Sequence, residues 1–272
     1  MKRKKAALAA LAAVAVIGLA MAAYPQISAG IQRKAQSEIR AGYEQRIEEQ
    51  GEDGRQDQLA AAREYNGELA AGKILGSRYY ELLNFGEHGL MGYVEIPKIE
   101  VALPVYHGTE DTVLRLGAGH MPGSSLPVGG TGTHAVISAH SGMASDPMFS
   151  NLDQMALGDT FTVTVLGEDL TYQVDQIVTV LPTDTEYLRI DPERDYVTLL
   201  TCTPYGINTH RLLVRGCRVE AVPEQDGQEP DPAGELPVIG NQYKGILLGA
   251  GTAALILVPG GAALALGKGR EK

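Results

Sequence analysis

Cys202 closes an apolar run, Tyr196-Val-Thr-Leu-Leu-Thr201, and is followed at once by Thr203-Pro204-Tyr205-Gly206. Most cysteines in such runs are small buried hydrophobes, but at the junction of a strand and a loop a thiol can meet a substrate. Positive charge nearby populates the thiolate, which is the nucleophilic form. His140 ends a second apolar run, His134-Ala-Val-Ile-Ser-Ala139, just before Ser141-Gly142. Paired with Cys202, its imidazole can protonate a leaving amine and deprotonate an incoming one. Arg211 opens the run that follows the cysteine loop, where a guanidinium can donate to a substrate carbonyl or to the oxyanion of a tetrahedral intermediate. Nucleophile, acid–base group and oxyanion donor together describe acyl transfer through a thioester.

Each assignment has competitors. Arg215 shares the strand parity of Arg211, whereas His210 points the other way. His88, His107, His120 and His134 are scattered, and only His134 and His140 share a strand face. With no Cys-x-x-Cys and no His-Glu-x-x-His spacing, no zinc site is expected. Paired cysteines in an exported segment suggest a disulfide. If the run from Arg211 lies antiparallel beside Cys202, however, Cys217 is roughly 20 Å further along, and Cys202 is a free thiol.

The elements that must position these groups are mostly strands. Beyond Gly92, short β-like runs separated by turn residues fall at 93–96, 103–106, 134–139, 160–165, 172–180, 196–201 and 211–219. Seven or eight such runs without alternating amphipathic helices predict a mainly β domain, an antiparallel sandwich or closed barrel, over residues 92–222. Short helices fit only at 111–116 and 148–155. Upstream, residues 26–71 are polar with Ile31, Ile39, Tyr43 and Ile47 at helical spacing. They predict a helical stalk broken at Gly51-Glu-Asp-Gly54, and a glycine-rich connector continues to residue 91. Residues 223–244 form an acidic, Pro- and Gly-rich linker.

Both ends look made for a membrane. Met1-Lys-Arg-Lys-Lys5 precedes an uncharged stretch at 6–24, and residues 245–267 are again uncharged before Lys268, Arg270 and Lys272. Two spans with a cytoplasmic tail at 268–272 would leave the domain outside the cell. The alternative for residues 1–25 is a cleaved signal peptide, with Ala20-Met-Ala22 as its small-x-small site. Formal net charge is −10 although both termini are basic, which argues against a nucleic-acid partner.

Several blocks together resemble the sortase family, and most closely its class C, pilin-polymerising group. Thr198-Leu-Leu-Thr-Cys202 is similar to that family's Thr-Leu-x-Thr-Cys signature, and Thr203-Pro-Tyr-Gly-Ile-Asn-Thr-His-Arg211 continues it. Ile96-Pro-Lys-Ile99, Leu103-Pro-Val-Tyr-His-Gly108, the stretch from Gly119 to Gly130 and Ser138-Ala-His-Ser-Gly142 follow the same order. The resemblance implies an eight-stranded closed sortase β-barrel with His140, Cys202 and Arg211 as catalytic residues and no metal or organic cofactor. It implies cleavage of an LPXTG-like sorting signal between Thr and Gly, then transfer to a lysine amine of another pilin, at a Gram-positive cell membrane.

Two positions depart from the class C pattern. The connector lacks the Asp-Pro-aromatic lid motif, leaving Tyr79, Tyr80 or Phe85 as candidates for a plug, since Asp146-Pro147 lies on the wrong side of His140. Ser141 stands where many class C members have arginine. Alternative readings are a sortase that anchors single surface proteins to a peptidoglycan precursor, and a non-enzymatic membrane-tethered binding module. The Ser-His-Gly-Cys motif of L,D-transpeptidases is absent.

Overall fold

The computed structural model describes residues 2–141 and 148–219, without side-chain detail for most of the first 35 residues. Eight strands form the domain: β1 (Leu90–Ile96), β2 (Val101–His107), β3 (Ala118–His120), β4 (Thr133–Ser138), β5 (Thr160–Val165), β6 (Glu168–Val180), β7 (Asp195–Thr203) and β8 (His210–Arg218). They close into a barrel in the order β1-β2-β3-β4-β7-β8-β6-β5. Alternating burial along β5, with Phe161, Val163 and Val165 inward and Thr160, Thr162 and Thr164 less buried, is the period-two pattern of a one-sided strand. β4 is buried along its whole length.

The barrel is mixed, not purely antiparallel: β2 pairs with β3 and β4 pairs with β7 in parallel. Two strand features escaped the sequence pattern. β3 is three residues long and centred on Gly119, where a Cβ would come within 2.2 Å of the Gly108 carbonyl oxygen, so it carries no hydrophobic alternation. β6 begins at Glu168, four residues before the expected 172. Leu166 and Gly167, both at positive φ (56° and 80°), make a two-residue hairpin turn, and polar Glu168 and Asp169 already pair with Val165 and Thr164.

Helix α1 (Lys2–Ala70) leaves helical geometry at Gly51 (φ 67°, ψ 177°), inside the expected break at 51–54. It packs on the barrel instead of standing off as a stalk. Tyr43, Ile47, Leu59, Ala62 and Tyr65 are buried in the main core. The Tyr43 hydroxyl donates to the Met91 carbonyl and accepts from the Leu166 amide, at 3.0 and 2.8 Å. Asn66 clasps Leu126 in both directions, its amide donating to the carbonyl and its oxygen accepting from the N–H, at 2.9 and 2.7 Å. Of the residues at helical spacing, Ile39, Tyr43 and Ile47 therefore lie on the apolar face of a docked helix, and the side chain of Ile31 lies outside the described residues.

After α2 (Arg78–Glu81) come the barrel and one short turn of helix, α3 (Asp111–Leu114), where a helix is expected at 111–116. The helix expected at 148–155 is a turn followed by a 3-10 segment at Leu152–Gln154. No helix among the described residues is long and apolar enough to cross a membrane. The side chains of the expected first span at 6–24, the linker at 223–244, the second span at 245–267 and the tail at 268–272 lie outside the described residues, as does Asp146-Pro147.

Glycine is required where strands and backbone crowd. A Cβ at Gly92 would lie 2.1 Å from the Thr164 carbonyl oxygen, a backbone atom that cannot swing aside, whereas one at Gly42 in α1 meets nothing within 4 Å. In urea denaturation, Gly92→Ala is expected to lose about 1–3 kcal/mol of stability through overpacking. Gly42→Ala is expected to gain about 0.5–1 kcal/mol from its better helix propensity.

Candidate active site

The parallel pairing of β4 with β7 brings two chain segments, 62 residues apart in sequence at the Ser138–Leu200 pair, to the same end of the barrel. Their alignment continues past the strand ends. The Ala139 amide donates to the Leu200 carbonyl at 3.1 Å. The Thr201 hydroxyl donates to the Ala139 carbonyl at 2.9 Å, and the Ser141 hydroxyl to the Cys202 carbonyl at 2.7 Å. His140 is thus held between Ala139 and Ser141, each bonded to the cysteine strand, and its own carbonyl accepts from the Phe149 amide at 3.0 Å.

Across the antiparallel β7–β8 ladder, Cys202 pairs directly with Arg211. Side chains of directly opposed residues lie on the same face of a sheet. Thiol, imidazole and guanidinium therefore gather at one rim, and all three are partly exposed. The Arg211 Nη1 donates to the carbonyls of Asn208 and His210, at 3.1 and 3.0 Å, which fixes the guanidinium against the β7–β8 loop. No carboxylate pairs with Arg211 among the described residues. A planar guanidinium has five N–H donors, so donors remain for an incoming oxygen.

A groove of about 260 Å³ leads to this rim. Its floor is formed by Val180, Leu200 and Leu213 from β6, β7 and β8, which pack with Val136 of β4 in a cluster separate from the main core. Leu181, Pro182 and Asp184 from the β6–β7 connection form a wall, and Cys202 and Arg211 also line the space. An apolar trough ending at a nucleophile and a hydrogen-bond donor suits an extended peptide whose scissile carbonyl reaches that end.

The competing residues are occupied elsewhere. Arg215 makes a two-pronged pair with Asp175, both contacts at 2.9 Å, and its guanidinium lies 4.1 Å from the Tyr196 ring centre. His134 is buried between the Arg189 carbonyl and the Thr198 hydroxyl, at 2.9 and 2.7 Å. His120, wholly buried, contacts the Tyr79 hydroxyl at 2.9 Å and the Ser125 carbonyl at 2.7 Å. Burial lowers the pKa of His107 and His134, and pushes that of His120 down to about 4. Cys202 and Cys217 are both free; Cys217 pairs with Tyr196, six residues along β7 from Cys202.

None of the candidate plugs lines the groove. Tyr79 and Phe85 are buried in the main core, Tyr79 against His107 and His120 and Phe85 against Tyr43. Tyr80, 49% exposed, packs edge-on against Tyr79. Two features of the site escaped the sequence pattern. Ser141, noted only as a departure, ties the histidine loop to the cysteine strand. Asp111, read as the start of a short helix, places Oδ1 3.5 Å from His140 Nε2; an acidic side chain in a first helical turn has a ready structural explanation, and no spacing linked it to His140.

Comparisons with known proteins agree on one family. The sortase domain matches residues 94–219. Among solved structures, sortase C1 from Streptococcus agalactiae shares 43% identity at a TM-score of 0.64, covering 69% of this chain and 98% of that one. Sortase C from Streptococcus pneumoniae shares 44% identity at 0.63, covering 67% and 97%. Sortase C from Clostridium perfringens, solved with its C-terminal cell wall sorting motif, shares 41% at 0.62, covering 68% and 99%. The curated Sortase A of Streptococcus agalactiae is 32% identical over 128 residues, 46% of this chain, so the match spans about half (51%) of that relative's length.

Two outcomes follow from these partners. Arg215→Ala is expected to lose about 1–2 kcal/mol in urea denaturation, from its ion pair and ring contact, while Arg211→Ala stays within about 0.5 kcal/mol of the parent. A histidine whose folded pKa lies below its unfolded value stabilises above the unfolded pKa, and that contribution fades as pH falls toward the folded value. With His120 moving from 6.5 to about 4, stability is expected to drop by about 2 kcal/mol between pH 7.5 and pH 5 from this group alone. Denaturation midpoints at the two pH values should differ less in His120→Asn.

Proposed function

The chain belongs to the sortase family, and on that premise we propose that it is a membrane-anchored class C cysteine transpeptidase that joins pilin subunits. The observation that carries this reading is the cross-strand pair Cys202–Arg211 with His140 tied to the same rim above an apolar groove. The class C enzymes among the similar structures support the choice of pilins over single surface proteins.

In this mechanism the LPXTG-like signal lies along the groove with its threonine carbonyl at Cys202. The thiolate sulfur attacks that carbon, and Arg211 donates hydrogen bonds to the resulting oxyanion. His140 gives its proton to the glycine nitrogen as the C–N bond breaks, leaving a thioester. A lysine Nζ of a second pilin then attacks the thioester carbon and passes a proton to His140, and the sulfur departs. The peptide bond is exchanged for an isopeptide bond with no net oxidation and no cofactor.

The proposed organisation is a catalytic barrel at 92–222, preceded by the helix and connector at 26–91. Anchors at 1–25 and 245–267 and the linker at 223–244 hold it on the outer side of the membrane. The basic residues flanking both apolar stretches support this two-span topology.

Co-expression with LPXTG-bearing pilins, followed by a denaturing gel, tests the reading. We expect a covalent ladder with the parent chain, none with Cys202→Ala, and a loss of about 10²–10³ in rate with Arg211→Ala, the scale of removing one oxyanion donor. Cys202-dependent attachment without a ladder would assign the chain to single-protein anchoring. A product that persists in Cys202→Ala would exclude the mechanism.

A further inference from the structure

We propose that Asp111 is a positioning residue for His140, holding the imidazole by its Nε2 so that Nδ1 is turned to the reacting groups. The proposal rests on the transpeptidase reading for its chemistry, and on geometry for the contact itself.

Asp111 Oδ1 lies 3.5 Å from His140 Nε2, while its Oδ2 accepts from Arg115 Nε at 2.8 Å. Both backbones that make this contact are pinned. On the histidine side, Ala139 and Ser141 are bonded to β7 and the His140 carbonyl accepts from Phe149. On the aspartate side, the Gly108 amide meets the His120 carbonyl at 3.0 Å and the Tyr79 hydroxyl at 3.1 Å. The Glu110 carbonyl then accepts from Val113 and Leu114 to start α3, which carries Asp111 in its first turn. The carboxylate therefore reaches His140 from a loop anchored to the barrel and to the buried connector, and it belongs to neither catalytic strand.

An imidazole that must give a proton to one amine and take one from another works best when a single nitrogen faces both. With the Nε2 proton directed at Asp111, Nδ1 is the nitrogen left for the glycine leaving group and the lysine acceptor. When Nδ1 takes a proton, the imidazolium charge sits beside the Asp111 carboxylate. Asp111 is 64% exposed, so water screens the pair and its effect should fall well short of that of a buried orienting carboxylate.

The test pairs kinetics with a readout that needs no turnover. For cleavage of an LPXTG peptide by the full chain, Asp111→Ala is expected to lower kcat by about tenfold, the low side of general acid–base effects, with KM unchanged. Asp111→Glu, which restores the carboxylate, should recover to within about threefold of the parent. In imidazole nitrogen NMR of the histidine-labelled full chain, with the His140 signal identified through His140→Gln, the parent ring should carry its proton on Nε2, and Asp111→Ala should mix the tautomers. An unchanged kcat, a loss confined to KM, glutamate no better than alanine, or an unchanged tautomer would each overturn the proposal. Absence of Cys202-dependent cleavage by the parent chain would instead count against the transpeptidase reading, and the NMR comparison would still decide the role of Asp111.

Discussion

Everything at the reactive rim depends on the parallel register between β4 and β7. Parallel strands run out at the same end of a sheet, so a residue just past β4 and one near the end of β7 become neighbours only because Ser138 lies opposite Leu200. A slip of one residue in this register would shift Cys202 along the seam from His140 and turn its side chain to the other face relative to β4, because side chains alternate along a strand. Its pairing with Arg211 is set separately by the β7–β8 ladder. The register is held past the ladder by Thr201 and Ser141, whose hydroxyls donate across the β4–β7 seam. Those two side-chain bonds fix backbone where sheet hydrogen bonds have ended, on either side of His140.

The division between core and groove follows from the same sheet. Its inner face contributes Ile137, Leu199 and Val214 to the barrel interior, and its outer face contributes Leu200 and Leu213 to the groove floor, with Val136 packed in the same outer cluster. One set of strands therefore stabilises the fold on one side and presents an apolar trough on the other. β4 is buried along its whole length, with Ala135 and Ile137 in the main core and Val136 in the outer cluster. The connector takes no part in closing the trough. Tyr79 and Phe85, the aromatic residues that looked available as a plug, fill the main core instead, where Tyr79 secures the loop that leads to Asp111.

Much of this was legible in the chain because the relevant signals are local. Period-two runs located seven of the eight strands, and Cys202, His140 and Arg211 stand at strand ends whose composition marks them. What escaped depends on long-range contacts. β3 is a strand only because β2 and β4 flank it, and the glycine at its centre is needed for the approach of Gly108. The apolar residues of α1 were visible at helical spacing, but nothing in that spacing says that Tyr43 reaches Met91 and Leu166. Arg215 and Arg211 were indistinguishable by parity, and Asp175, forty residues away, separates them.

In the proposed mechanism, the contrast between those two arginines is what keeps a cation ready for substrate. Arg215 satisfies its guanidinium with a carboxylate in a planar, two-pronged contact and covers it with the Tyr196 ring, so its charge is already compensated within the fold. Arg211 is held by two backbone carbonyls, which orient the group without neutralising it. A carbonyl dipole attracts a cation far less than a carboxylate does, so the remaining Arg211 donors keep most of their charge. On the proposed reading, an oxyanion that forms only in the transition state would meet a donor already in place, with little reorganisation at the moment of reaction. A carboxylate partner at Arg211 would compete with that oxyanion; no ion pair is formed by Arg211 among the described residues, and Asp111 is engaged with His140 and Arg115.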